Sequence, residues 1–266
     1  SSVSAWRTPT PNCSRRSDGW AIGMSLQRVK WLYRAWRYRY RLERAEIRLL
    51  MQNLAAGDSA VDVGAHKGAY TYWMRQVVGP GGKVFAFEPQ PVLAERLRSL
   101  VSSSGYANVV VENLGLSSSS GTLLLRVPGD GTSPGASFEA GQGAGQSYPV
   151  QVTTLDDYFD RRDRSRVRLI KCDAEGHELE VFRGAERLLG ELRPCLLFEC
   201  ERRHRASGRV DDVFDWLRGM GYRGYFIDRD GARDISEFVA EVHQRSNADP
   251  GYVNNFMFLP QAGLVG

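Results

Sequence analysis

The sequence predicts an α/β domain with a mostly parallel sheet covered by helices on both faces. From residue 59 onward, short apolar runs of strand length alternate with longer helical periods, the pattern of a parallel sheet with crossover helices. A glycine-containing turn follows the first of these runs, at the position where open α/β sheets receive ligands. The hydrophobic content of 42 % in 266 residues supplies a core for one large domain with extensions.

Residues 1–23 are polar, rich in Ser, Pro and Arg, and aperiodic, so they are expected to form a poorly ordered arm; they lack the apolar core of a signal peptide. Residues 24–57 read as a basic amphipathic helix, with Leu26, Val29, Tyr33, Trp36, Tyr40, Ile47 and Leu50 at three- and four-residue steps. Residues 1–48 hold 11 Lys and Arg against 3 Asp and Glu, a net of +8, which leaves −4 for the rest of a chain whose total is +4. That helix either docks on the core with its cations solvated or makes peripheral contact with an anionic membrane surface or a charged polymer.

The domain proper spans 58–266. Strands are expected at 59–63, 83–87, 108–112, 168–172, 194–199, 222–227 and 253–259, and helices at 69–78, 90–103, 178–189 and 210–219. Two further strands, 122–127 and 148–153, flank a segment with six glycines that reads as a lid, a substrate loop or a plain surface excursion.

Composition also excludes. No run of 18 apolar residues exists, so no membrane-spanning helix is expected. Cys13, Cys172, Cys195 and Cys200 show no C-x-x-C spacing and read as reduced thiols of a cytoplasmic protein, one that could still touch the inner membrane face through its basic helix. The excess positive charge lies outside the domain, and no Asn/Asp-Pro-Pro-Tyr/Phe loop is present, so a nucleic-acid partner is not expected. Oligomeric state has no signature.

The turn itself is Asp62-Val63-Gly64-Ala65-His66-Lys67-Gly68. Its glycines allow a sharp turn and close ligand approach. A dinucleotide site would present helix N–H groups to a pyrophosphate here. Asp62, two residues before the first glycine, would repel that anion, and the pattern is G-x-x-x-G rather than G-x-G-x-x-G. S-adenosylmethionine, with an ammonium, a sulfonium and no phosphate, fits better. Glu88, after the second strand and 24 residues beyond Gly64, is placed to accept hydrogen bonds from ribose hydroxyls.

These pieces converge on one family. Residues 58–260 resemble the FkbM-type methyltransferases, a branch of the S-adenosylmethionine-dependent class I fold. The resemblance rests on the turn with Thr71, on Phe87-Glu88-Pro89, on Asn113, and on Thr154-Leu155-Asp156-Asp157. It continues through Leu169-Ile170-Lys171-Cys172-Asp173-Ala174-Glu175-Gly176-His177-Glu178, Phe182-Arg183-Gly184-Ala185, Phe198-Glu199 and Asn255 to Pro260. The fold it implies is a Rossmann-like, seven-stranded sheet with an antiparallel last strand. The activity it implies is O-methylation of a hydroxyl on a sugar, glycolipid or polyketide-type product. His66 stands where the family favours Asn, and His177 where it often has a small residue.

Asp62, Gly64, Ala65, His66, Gly68, Glu88, Asn113 and Asp173 are the expected cofactor-binding set. Asp62 would hold the methionyl ammonium, Glu88 the ribose, and Asn113 or its neighbours the adenine, unless Asn113 is only a turn residue. Methyl transfer needs alignment and loss of the acceptor's proton. Asp173, Glu175 and His204 are the expected catalytic residues, and Asp173 and Glu175 share a side if the strand continues to 175. Asp173, Glu175 and Glu199 are a candidate Mg²⁺ site of hard oxygen ligands. The arginines around His204 suit an anionic small-molecule or glycan acceptor. Two competing readings are a nicotinamide-dependent oxidoreductase and a non-catalytic binding module that keeps the fold.

Overall fold

The computed structural model describes residues 26–129, 131–139, 145–204, 209–249 and 251–261. The arm expected over 1–23 lies outside them, as does the centre of the glycine-rich segment.

The first strand, β1 (Ser59–Val63), is buried along its whole length and lies in the middle of an eight-stranded sheet. On one side it pairs in parallel with β2 (Lys83–Phe87), which pairs with β3 (Val109–Glu112). A second, three-stranded sheet holds β4 (Gly115–Leu116), β5 (Gly121–Pro128) and β6 (Gly145–Thr153), so the two inserted strands pair antiparallel to each other. The chain then returns to the other side of β1 as β7 (Val167–Cys172) and β8 (Cys195–Glu199), both parallel. Beyond β8 come β9 (Tyr222–Ile227), the short β10 (Ala232–Asp234) and β11 (Asn255–Pro260). Strand β11 inserts antiparallel between β8 and β9. The eighth strand, not expected from sequence, is β10, a three-residue edge piece antiparallel to β9.

The strand order reverses between β1 and β7, which opens a crevice at the carboxyl ends of both. Register brings those ends level: Val63 lies opposite Phe87 on one side and Cys172 on the other. Strand alternation then sorts the faces. Val61, Val63, Ile170 and Cys172 join one apolar cluster, while Ala60 and Leu169 join the other. Asp62 and Lys171, paired in register, both fall on the second face.

That second face is covered by α1 (Leu26–Arg37), α2 (Arg44–Gln52), α3 (Ala69–Val78) and α4 (Pro91–Ser103). The opposite face is covered by α5 (Leu155–Asp160), α6 (Glu178–Arg183), α7 (Glu186–Leu192) and α8 (Val210–Gly219); a short α9 (Ala240–His243) follows. The helix expected over 178–189 is two helices. A Cβ at Gly184 would stand 2.1 Å from the carbonyl oxygen of Ser117, so the chain is pinned there at close approach.

The basic N-terminal helix is also broken. A π-helical turn, Tyr38–Leu42, separates α1 from α2, and Glu43 leaves helical geometry at φ −126°. Trp31 anchors the layer: it is 1 % exposed, its Nε1 donates to the Gly68 carbonyl at 2.8 Å, and its ring meets Tyr72 edge-on at 5.6 Å. Ile47 and Leu50 of α2 enter the same core.

Trp31→Ala removes both a buried ring and this hydrogen bond. It is expected to cost about 3–5 kcal/mol, read as a lowered urea midpoint with an unchanged slope.

Candidate active site

The turn after β1 is built by backbone geometry that few residues tolerate. Gly64 has φ +71°, and a Cβ there would lie 2.0 Å from the backbone oxygen of Asp173. Gly68 starts α3 at φ +73°, with the side chains of Leu97 and Trp31 where its Cβ would be. The Gly64 and Ala65 amides both donate to the Phe87 carbonyl at 3.0 Å, which fastens the turn to the end of β2.

Glu88 is the second fastening. Its carboxylate accepts from the His66 amide at 2.6 Å and the Gln90 amide at 2.8 Å. Burial pushes the Glu88 carboxyl up to about 7 against the pull of these two donors. Asn113 does not line the cavity. Its amide donates to the carbonyls of Glu88 and Pro89 at 2.9 and 3.1 Å, so it locks the Glu88 loop, while its neighbours Leu114, Gly115 and Leu116 form the wall. The turn-residue alternative therefore describes its side chain.

Asp62 is fully buried. Its Oδ2 accepts from Thr71 Oγ1 at 2.5 Å, whereas its Oδ1 has no partner among the described residues. Burial raises its pKa, opposed by Lys171 and Thr71. Lys171, one strand away, is buried too. Its Nζ lies 3.0 Å from Asp173 Oδ2 and 4.9 Å from the centre of the Tyr70 ring. Burial works against its charge, but Asp173, Asp62 and Glu43 outweigh it and raise the ammonium's pKa. Asp173 Oδ1, like Asp62 Oδ1, is buried and unpartnered among the described residues.

Sequence reasoning assigned Lys171 no role. The available signal was a lysine inside the run Leu169-Ile170-Lys171-Cys172 of a strand buried on both faces, where an unpaired charge is not tolerated. It also missed Glu43, which has no sequence signal. The break after Leu42 turns this carboxylate inward, where it accepts a short hydrogen bond from the Tyr70 hydroxyl. Burial pushes Glu43 up to about 7, opposed by the Tyr70 hydrogen bond and Lys171.

The strand does not continue to Glu175. It ends at Cys172, and Glu175 sits in a turn at φ +51°. Its Oε2 lies 2.6 Å from His204 Nδ1, and both residues line the cavity. Burial lowers the pKa of His204, but the hydrogen bond and charge of Glu175 prevail and raise it. His66 also lines the cavity. Burial, then Lys67 and Arg34, push its imidazole down to about 4, and its Nε2 has no partner among the described residues. His177 is engaged elsewhere, between Ser117 Oγ and Glu139 Oε1 at 2.9 Å each.

The candidate Mg²⁺ site is not assembled. Asp173 is paired with Lys171, Glu175 with His204, and Glu199 accepts from Asn254 Nδ2 at 2.7 Å. Burial and the neighbouring Asp173 raise the pKa of Glu199. Among the described residues no group of three or more His, Cys, Asp or Glu could hold a metal ion.

These residues enclose a cavity of about 430 Å³ at the switch point. Part of its wall comes from the N-terminal layer through Arg34, Tyr38 and Glu43. Another part comes from the described stretch of the glycine-rich segment, through Pro134, Ala136 and Phe138. That stretch is tied down at Gln90, whose side chain exchanges two hydrogen bonds with Ser133, and at Glu175, whose carbonyl accepts from Ser137 Oγ at 2.6 Å.

A doubly wound sheet with acidic groups, rather than an anion cradle, at its switch point has the architecture of a class I methyltransferase. The Methyltransferase FkbM domain matches residues 62–223, and the chain belongs to that family. The match sets aside the nicotinamide-dependent alternative. Among curated relatives, the chain is 30 % identical over 168 residues to the hexuronic acid methyltransferase AglP of Haloferax volcanii, covering 63 % of this chain and 65 % of that protein. It is 31 % identical to the methyltransferase sdnD of Sordaria araneosa, covering 50 % of this chain and 62 % of that one. The chain thus spans just under two thirds of the length of each. Among solved structures, the methyltransferase FkbM from Methylobacillus flagellatus superposes with a TM-score of 0.47 at 17 % identity, over 87 % of this chain and 54 % of that one.

The raised pKa of Glu43 makes a pH prediction. A carboxyl that titrates near 7 when folded and near 4.5 when unfolded binds more protons in the folded state between those values. Its contribution to stability is therefore lost as pH rises through that window. Glu43→Gln is expected to flatten the decline in urea-melt stability from about pH 4.5 to 7, measured against the unaltered chain.

Proposed function

We propose that this chain transfers a methyl group from S-adenosylmethionine to a hydroxyl of a sugar or related natural-product acceptor that carries negative charge. The observation that supports the cofactor is the pair of buried carboxylate oxygens without partners, Asp62 Oδ1 and Asp173 Oδ1, at one cavity floor. Buried carboxyl oxygens that lack a donor suit the N–H groups of a cationic ligand head. Gly64, Ala65 and Glu88 all line the cavity, and Glu88, at the end of the second strand, takes the ribose. A volume of about 430 Å³ lies within the roughly 300–1,000 Å³ of small-molecule sites. The cofactor supplies an electrophilic methyl on a sulfonium. Magnesium is not part of the reading.

The chain's own contribution is alignment and proton removal. Asp62 holds the ammonium end, and Asp173 orients either that group or the acceptor. Glu175 fixes His204 through Nδ1, which leaves Nε2, without a partner among the described residues, to take the acceptor's hydroxyl proton. Glu175 then stabilises the imidazolium. Arg34 and Lys67 line the cavity with no carboxylate partner among the described residues, and they favour an anionic acceptor. The relative named as a hexuronic acid methyltransferase supports a uronate as the acceptor's charged group.

Isothermal titration with S-adenosylhomocysteine tests the cofactor. Stoichiometric binding is expected, weakened at least about tenfold by Glu88→Ala, since a buried hydrogen-bond acceptor is lost; a folded chain that binds NADH instead would overturn the reading.

The base makes a second prediction, read as methyl transfer to a glucuronate-containing oligosaccharide. His204 must be neutral to accept a proton, so activity is expected to rise with pH through a midpoint above the ordinary histidine value of 6.5. Glu175→Gln is expected to move that midpoint downward and to cut the rate. A midpoint that stays in place would remove His204 from the role.

A further inference from the structure

Among the described residues, the outward face of α1 and of the π-helical turn that follows it has no partner. Leu26, Val29, Tyr33, Trp36 and Tyr40 recur at steps of three and four, and each is between 41 and 69 % exposed. Three of them form a continuous aromatic row. The Tyr33 and Trp36 rings lie 6.4 Å apart and nearly parallel at 17°, and Trp36 lies 5.4 Å from Tyr40. Single exposed apolar residues are ordinary, but a contiguous row of this kind marks an interaction surface.

The charge beside the row has one sign. Residues 26–42 contain no Asp or Glu. Lys30, Arg37, Arg39 and Arg41 have no carboxylate partner among the described residues. The guanidinium of Arg41 lies 5.7 Å from the Trp36 ring centre, and that of Arg39 lies 5.3 Å from the Tyr40 ring centre, so cations and aromatics are interleaved. The two nearby acids point elsewhere: Glu43 lines the cavity, and Glu46 bonds to Asn255.

Two occupants fit a stripe at this spacing. A second copy would pair the stripes as a helical seam, but Lys30, Arg37 and Arg39 would flank that seam on both copies and repel. Tyr and Trp are also not the branched aliphatics that such seams favour. An anionic bilayer meets every feature: the rings suit headgroup depth, the cations suit acidic headgroups, and nothing on the face repels either.

We propose that residues 26–42 form an interfacial anchor that seats this face of the protein on an anionic lipid bilayer. Arg34 and Tyr38 of the same segment line the cavity, so the anchor and the cavity wall are one piece of chain. The proposal does not depend on the acceptor or the reaction.

The test is flotation of the full chain with vesicles of phosphatidylcholine alone or mixed with phosphatidylglycerol. Binding only to the mixed vesicles, weakened by salt, is expected. Combined Tyr33→Ser, Trp36→Ser and Tyr40→Ser should reduce partitioning at least about tenfold, with S-adenosylhomocysteine binding and the urea melt unchanged. Arg37→Glu with Arg41→Glu should give the same loss by a change of charge alone, which covers a misfolded triple variant. Absence of binding to mixed vesicles, or binding that survives both variants, overturns the proposal. So does a dimer in sedimentation that the aromatic substitutions abolish, which would assign the face to a second copy. Tighter binding to single-stranded RNA than to the mixed vesicles, lost in the same variants, overturns it as well.

Discussion

The ammonium of Lys171, in the field of Asp62, Asp173 and Glu43, is the charge around which the cavity floor is arranged. Moving an isolated charge into a protein interior costs several kcal/mol, and the cost is offset only when partners of opposite sign are fixed around it. Here the partners come from three separate places: the end of β1, the loop after β7, and the break between the two N-terminal helices. Removing the lysine would leave two carboxylates sharing a buried floor with no counterion. Keeping it sets an ammonium beside Asp173 and in the field of Asp62, with one oxygen of each directed to no protein partner among the described residues.

Backbone geometry carries the same constraint outward. The turn after β1 and the loop after β7 touch at Gly64 and Asp173, so neither can move without the other. Glu88 holds the turn from the β2 side through the His66 amide, and Asn113 holds Glu88 through its backbone. Trp31 holds the far end of the turn through Gly68. A ligand entering this crevice therefore meets a surface fixed from four directions, which reduces the ordering cost of binding.

Much of this was legible in the sequence, for a physical reason. Strand and helix periods are local, so the core strands and the helices after β1 and β2 were read to within a residue or two. The turn residues announced themselves because glycine and a strand-end acid at fixed spacing have few other uses. What escaped was non-local. The inward turn of Glu43 depends on a hydroxyl 27 residues away. The grouping of Asp173, Glu175 and Glu199 as a metal site failed because each finds a different partner, and no spacing rule encodes His204 or Asn254 as those partners. Asn113 was placed at the right strand end, but its amide serves the Glu88 loop. Lys171 was visible and went unused, although a lysine in a doubly buried strand demands an explanation.

The wall formed by Arg34, Tyr38 and Glu43 lies upstream of residues 62–223, the stretch that defines the family. The cavity wall thus joins groups from inside that stretch, among them Leu114, Phe138 and His204, with three from outside it. Trp31 and Glu43 tie this upstream segment to the turn and to the surroundings of the lysine, so changes there are felt at the residues of the shared stretch. A comparison confined to the shared stretch would leave Arg34, Tyr38 and Glu43 out of view, although they face the same cavity.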